Sequence, residues 1–553
     1  MLNRITRIVI GTLSFILLLI AMMMLYVRWV SAVDPPTQLT KDDVAHNVLE
    51  ADTGLFVIGN NWFRQSESGL FELYVEGEPF ERGVRIGALT RDLVHYQEKS
   101  FIDQINRIVP SDLYRTGLKF FIGYFTRDLP DYVDEEFKQE IYGISQFSSD
   151  EFDKLVPDPY QRLLNYHAAH DVGHALQNMS LVGCTSFATW GTASSDSSLI
   201  VARNFDFYVG EEFARNKIIA FYNPEDGYQF MTVTFGGMTG VLSGMNMEGL
   251  SVTINAAKSE IPSSAATPVS IVAREILQYA STIEEAFEIA KKRKVFVAES
   301  FLIGSAADGR AAVIEKSTET TALYDPRGTS LVCTNHFQSD VLGNTDLNNE
   351  HKATSASPYR YQRVAELLHK SSPLDVNTAV NILRDPYGID DRKIGFGNEK
   401  AINQFIAHHG IIFQPEKRLV WVSTAPWQLG KFVCYDLAKI FDLRMTSNME
   451  VYETNLTIDA DPNLAKPEIR TFLKAMKFRA PFSVKDKMNP DSLIAWNPED
   501  YYMYMLAGDY YIRQNDFGKA KQVFETGLTK EIATENERSY FLEKIETCKE
   551  ELQ

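Results

Sequence analysis

Residues 183–206 read GCTSFATWGTASSDSSLIVARNFD, and the rest of the chain is arranged around them. Gly183 and Cys184 open an apolar, β-prone run. Ser194, Ser195, Asp196, Ser197 and Ser198 form a polar turn. Leu199, Ile200 and Val201 then begin a second strand that returns Arg203, Asn204 and Asp206 towards the start of the first. Two strands about a polar turn predict a hairpin. A hairpin places a thiol, a guanidinium and a carboxylate at one end of a sheet. Such a group suits nucleophilic catalysis, with the cation expected to favour the thiolate.

Further along, Asn255 ends a β-prone run in INAA, Asn335 lies in CTNHF, and Arg360 lies in SPYRY with Arg363 as a close rival. Gly-Cys-Thr, a strand and Arg-Asn-x-Asp, followed by these pieces in this order, resembles the cysteine branch of the N-terminal-nucleophile hydrolases. The likeness is closest to the isopenicillin N acyltransferase-like, self-processing acyltransferases and hydrolases; choloylglycine hydrolases and penicillin V acylases are more distant. It covers residues 55–435. It implies that the chain cuts itself between Gly183 and Cys184, leaving Cys184 as nucleophile and new terminus. It implies that Arg203 orients the thiolate, Asp206 holds the α-amine and Asn255 joins the oxyanion hole. Asn335 would contact the terminal amine, and Arg360 would support the site. A four-layer αββα sandwich and no cofactor are also implied.

Physical chemistry makes that arrangement sensible. A free thiol, with an ordinary pKa of ~8.5, is mostly protonated at neutral pH. An α-amine titrates at about 7.7–8.0, so it can act as base and later as acid on its own residue. Gly183, without a Cβ, is expected to allow an unusual backbone geometry at the scissile bond.

The whole chain of 553 residues exceeds one ordinary domain. With 45% apolar and 12% aromatic residues it reads as globular. A net charge of −18 with no long basic run excludes nucleic acid as a natural partner. Cys184, Cys333, Cys434 and Cys548 form no CxxC pair, so neither a metal cluster nor a disulfide framework is indicated.

Residues 1–32 read as a membrane anchor or a signal peptide. Ile8 to Val27 is uncharged and long enough to cross a bilayer, with Arg4 and Arg7 before it. Val30-Ser31-Ala32 would suit cleavage. On either reading the remainder is exported, to the periplasmic or extracellular side. Residues 33–54 are a linker. Residues 55–183 carry short strands and then helices, at 80–99, 113–125, 133–147 and 160–179. The last helix carries His167, His170 and His174 on one face, open to polar packing or to zinc.

Residues 184–445 run strands, helices, strands, helices, strands, which predicts an α+β fold in segregated layers. Ser281 and Glu284 are the expected capping box between two helices. Residues 446–495 are a weakly patterned connector. Residues 496–553 are helical, with Tyr504, Ala507, Gly508, Tyr511, Ala520 and Phe524 at tetratricopeptide spacing. One repeat cannot bury its own face, so docking on the catalytic body is expected, with a protein-binding groove as the alternative. Three functions remain: an exported amidase acting on a small N-acyl amide, an acyltransferase to an amine, and a non-catalytic anchored binding protein.

Overall fold

The structure, a computed structural model of the chain, describes residues 4–37, 46–109, 111–152, 158–168, 171, 183–207, 211–258, 260, 262, 264–479 and 489–553. The pre-cysteine region supplies β1 (Leu49–Asp52), β2 (Leu55–Ile58), β3 (Asn61–Gln65) and β4 (Phe71–Gly77). The hairpin is present as β5 (Thr185–Thr189) and β6 (Ile200–Asp206). Then follow β7 (Ile218–Pro224), β8 (Phe230–Thr234), β9 (Ser243–Asn246) and β10 (Leu250–Ala256). Next come β11 (Glu299–Ser305), β12 (Arg310–Lys316), β13 (Thr321–Tyr324) and β14 (Ser330–Cys333). The last are β15 (Ala407–Gln414), β16 (Leu419–Ser423), β17 (Phe432–Asp436) and β18 (Glu453–Ile458).

Two sheets result. One, of eleven strands, runs β1-β2-β3-β4-β7-β8-β9-β10-β11-β12-β13; the other, of seven, runs β14-β5-β6-β15-β16-β17-β18. The first is mixed, because β4 pairs parallel with β7 and so joins the pre-cysteine strands to the body. Central strands are buried on both faces, and alternate residues enter different cores. In β4, Leu73 and Val75 face helices while Tyr74 faces the other sheet. In β12, Ala312 and Ile314 face helices while Ala311 and Val313 enter the inter-sheet core. A third core lies between the seven-stranded sheet and helices 357–370 and 376–383. Three apolar cores therefore separate helix, sheet, sheet and helix.

Several expected elements shift. The helix expected over 80–99 is two helices, Pro79–Leu89 and Arg91–Ile108. Thr90 divides them: its hydroxyl donates to the Ile86 carbonyl at 2.7 Å, as its own N–H does at 2.9 Å. The capping box lies one residue later, on Thr282 and Glu285, with Ser281 also donating to Glu285. The connector holds a strand after all, since β18 closes the edge of the second sheet. The helix expected to reach residue 179 runs from Pro159 to His167. His170 and His174 lie outside the described residues.

The apolar amino-terminal segment is a helix, Arg4–Val30. Among the described residues, one helix is long and apolar enough to cross a membrane, Thr6–Val30. In the tail, helices Tyr501–Arg513 and Phe517–Gly527 pack closely, with Gly508 against the Phe524 ring. The tail meets the catalytic body where Asn398 Nδ2 donates to the Glu531 carbonyl at 2.8 Å and Lys400 pairs with Glu531 at 2.7 Å.

Glycines set the first helix layer. A Cβ on Gly83 would lie 2.1 Å from the Glu140 carbonyl oxygen, and one on Gly143 would lie 2.6 Å from the Phe80 carbonyl oxygen. Helices 79–89 and 135–145 thus cross backbone to backbone. The crossing carries Glu140, buried between Arg82 at 2.6 Å and Arg274 at 3.1 Å. Gly83→Ala should force the helices apart and cost about 1–3 kcal/mol, read as a lower denaturant midpoint.

Candidate active site

Cys184 stands one residue before β5. The β5–β6 register pairs Thr185 with Asn204 and Ser186 with Arg203. The ladder continues past β5, because the Gly183 N–H donates to the Asp206 carbonyl at 3.0 Å. The Cys184 thiol donates to that same carbonyl at 3.8 Å. Arg203 Nη2 lies 3.7 Å from the Cys184 sulfur. The guanidinium is held by neutral acceptors: the Leu242 carbonyl at 2.6 Å, the Ser243 hydroxyl and the Ile254 carbonyl. The arginine expected beside the thiol is therefore in contact with it.

The expected effect on the thiol is corrected by burial. Cys184 is fully enclosed, and desolvation pushes its thiol up to about 11. Arg203 pulls the other way, but Asp206 and Glu299 oppose it. In this uncut chain the sulfur is protonated at neutral pH.

Asp206 is buried, and neither carboxylate oxygen has a hydrogen-bond partner among the described residues. Burial raises it to about 8, against the pull of Arg360 and Arg203. Glu299, on β11, is likewise buried with both oxygens unpartnered among the described residues, and burial holds it well above the carboxylate range.

The two asparagines sit at strand ends, as expected. Asn255 accepts from the Ser186 hydroxyl at 2.8 Å and donates to the Cys333 carbonyl at 3.2 Å. Asn335 donates to the Ala256 carbonyl at 3.0 Å and accepts from Arg360 Nη2 at 2.6 Å. Of the rival arginines, Arg360 is thus the one bonded to Asn335. Arg363 faces away, into ion pairs with Glu366, Asp385 and Asp391.

His167 is spent on packing. Its Nδ1 meets the Leu163 carbonyl at 2.9 Å, and its Nε2 accepts from the Thr239 N–H at 2.8 Å. Burial lowers it to about 4. Among the described residues no cluster suits a metal ion.

Two features of the site carry no motif in the sequence. Gln404 Nε2 donates to the Gly183 carbonyl at 2.8 Å, which is the carbonyl of the expected scissile bond. Gly183 has no left-handed φ, so backbone freedom is not why a glycine stands there. Instead, a Cβ at 183 would lie 2.5 Å from Gln404 Nε2 and 2.6 Å from Oε1.

The second feature is a pair of buried histidines behind Arg203. Adjacent residues of a regular strand point to opposite faces. A bulge in β15 between Ala407 and His409, opposite Asp206 and Phe205, breaks that rule. It brings His408 Nδ1 and His409 Nδ1 to 2.9 Å, while His409 Nε2 meets Ser243 Oγ at 2.9 Å. Arginine can only donate, so Ser243 Oγ accepts from Arg203 while it also meets His409. Burial lowers His408 to about 3 and His409 well below its ordinary value, so both rings are neutral. Lys217, buried nearby and lowered to about 8, donates to the His408 carbonyl at 2.9 Å.

A cleft of about 300 Å³ opens beside Asn335, lined by His336, Phe337, Tyr324, Tyr361 and Lys352 among others. None of the six residues expected to be catalytic lines it.

The structure thus sets Arg203 on the Cys184 sulfur, Asp206 across the ladder from Gly183, and Asn255 and Asn335 at strand ends. Residues 192–425 match the model of the family described as acyl-coenzyme A:6-aminopenicillanic acid acyl-transferase. Over these residues the chain is similar to that acyl-transferase family. Cys184 lies eight residues before the matched stretch begins, since 192 − 184 = 8. The chain is 24% identical over 273 residues to an uncharacterized protein of Archaeoglobus fulgidus, covering 46% of this chain and 45% of that protein. It is 20% identical over 273 residues to protein dcd1B of Dictyostelium discoideum, covering 46% of this chain and 51% of that protein. The chain thus spans about half the length of the curated relatives it matches. Among solved structures it is similar to a Caenorhabditis elegans N-acylethanolamine-hydrolyzing acid amidase ortholog, with 19% identity and a TM-score of 0.31. That match covers 42% of this chain and 93% of that one. It is also similar to a conjugated bile acid hydrolase variant from Clostridium perfringens, with 16% identity, a TM-score of 0.34, and 49% and 97% covered.

The Asp206 environment predicts a pH effect. Its folded value of about 8 exceeds its unfolded value. The folded state therefore holds an extra proton between about pH 4 and 8, and stability falls as pH rises through that window. In an uncut Cys184→Ala background, Asp206→Asn should remove this loss. The melting temperature should rise by several degrees at pH 8 and by less at pH 5, read by calorimetry.

Proposed function

We propose that the chain is a self-processing cysteine hydrolase that cleaves the linear amide of a small N-acyl substrate through Cys184. The observation that supports it best is Arg203 Nη2 at 3.7 Å from the one sulfur that follows Gly183. In the first act Cys184 Sγ attacks the Gly183 carbonyl carbon. The carbon–nitrogen bond breaks, the Cys184 nitrogen takes the thiol proton, and a thioester forms. Water then releases the Gly183 carboxylate and restores the thiol.

In turnover the freed α-amine takes the thiol proton while sulfur attacks the substrate carbonyl. The amine then returns that proton to the leaving nitrogen. Water, activated by the same amine, hydrolyses the acyl-thioester. Asp206 suits the α-ammonium as counter-charge, since its carboxylate has no other partner among the described residues. Asn255 supplies the oxyanion donor, and Arg360 steadies Asn335 against the terminal amine. No cofactor is required by these steps.

Acyl transfer to an amine is the second reading, favoured by the matched family's own description. Anchoring through residues 8–27 would hold the catalytic body on the exported side, beside lipid-like acyl donors. The tail would act as a tetratricopeptide-like module that offers its outer face to a protein partner.

Intact-mass analysis of the full chain should find two pieces, residues 1–183 and 184–553. Cys184→Ala should stay whole and lose turnover of an N-acyl amide panel by more than about 10³-fold. A free amine in the assay separates hydrolysis from transfer by the product formed. A fully active Cys184→Ala chain would end the proposal.

A further inference from the structure

The proposed self-cleavage needs a group that stabilises charge on the Gly183 carbonyl oxygen, and among the described residues none of the six expected to be catalytic hydrogen-bonds it. Asn255 is committed to Ser186 and to the Cys333 carbonyl in the uncut chain. The side chain bonded to that oxygen is Gln404, with Nε2 at 2.8 Å. Its amide is buried and aimed by an unusual loop. Phe405, the next residue, has φ 59°, a left-handed conformation that a bulky side chain holds only when its surroundings impose it. The constraint is visible: the Phe405 N–H donates to Asn403 Oδ1 at 3.0 Å, and Gln428 Nε2 donates to the same oxygen at 2.9 Å. The Asn403 N–H is tied in turn to the Asp385 carbonyl at 2.9 Å.

Resting on the functional reading above, we propose that Gln404 is the carbonyl-activating residue of self-cleavage, and that residue 183 is glycine to admit its amide. As Cys184 Sγ bonds to the Gly183 carbonyl carbon, the C=O electron pair moves onto oxygen, and Gln404 Nε2–H donates to that oxyanion. When the pair returns, the bond to the Cys184 nitrogen breaks, and that nitrogen leaves with the thiol proton. A donor already in place costs no reorganisation at that moment. Gly183 departs once the chain is cut, so Gln404 acts once per molecule and not in each turnover. A side chain at 183 acts on the same contact, because its Cβ would fall within 2.5 Å of Gln404 Nε2 and push the amide away.

The test follows full-length protein by intact mass over time, with turnover normalised to the cut fraction. Gln404→Leu and Gly183→Ala should each slow self-cleavage by about 10²–10³-fold, the usual loss for one oxyanion donor. The double variant should be no slower than the slower single, because both remove one contact. Turnover per cut molecule should stay within about threefold of the unaltered protein. Self-cleavage of Gln404→Leu within threefold of the unaltered rate overturns the proposal, as does an equal fall in turnover per cut molecule. If the unaltered protein is active but never cut, the functional reading itself fails, and this proposal with it.

Discussion

The antiparallel pairing of β5 with β6 is the constraint on which the site depends. Backbone hydrogen bonds, rather than side-chain contacts, bring Gly183 opposite Asp206 and set Arg203 three residues further along the partner strand. Side chains alternate across a strand, so a slip of one residue would turn Arg203 to the opposite face. The sheets then enclose this corner. β9 and β10 supply acceptors for the guanidinium, and β15 supplies the histidines behind it.

Enclosure controls the electrostatics more strongly than charge pairing does. A buried thiol next to a guanidinium is still raised, because desolvation acts on the whole thiolate while Arg203 spreads its charge over three other acceptors. Asp206 and Glu299 are raised for the same reason, and Lys217 is lowered. The uncut site is thus short of one well-placed cation near Asp206. On the proposed chemistry, cutting before Cys184 supplies one as an α-ammonium. That charge would relieve the carboxylate and give the thiol a base, so one bond cleavage would both lower a buried cost and complete the machinery.

Much of this was legible along the chain. The hairpin follows from a Ser-Asp-Ser turn between two apolar runs. Asn255 and Asn335 stand where apolar runs stop, which is where strand ends place side chains at a sheet edge. The contact that sets Arg360 apart from Arg363 was not legible, because both lie on one helix and only the bond to Asn335 separates them. The division at Thr90 escaped because the apolar spacing continues through it, while a local hydroxyl-to-carbonyl bond ends the helix. β18 escaped because this edge strand buries none of its residues fully and needs no apolar alternation.

By itself the amino-acid order determined the hairpin and the apolar strands, since these rest on neighbours within a few residues. Only the tertiary structure decided what surrounds the sulfur and the peptide bond before it. Gln404 reaches Gly183 across 221 residues of chain, and His409 reaches Ser243 across 166. Pairings at that separation leave no periodic trace, because they depend on which strands become neighbours. The reason for Gly183 shows the difference. Its small size was visible in the sequence, but the amide that needs the space is visible only once the chain has folded back upon itself.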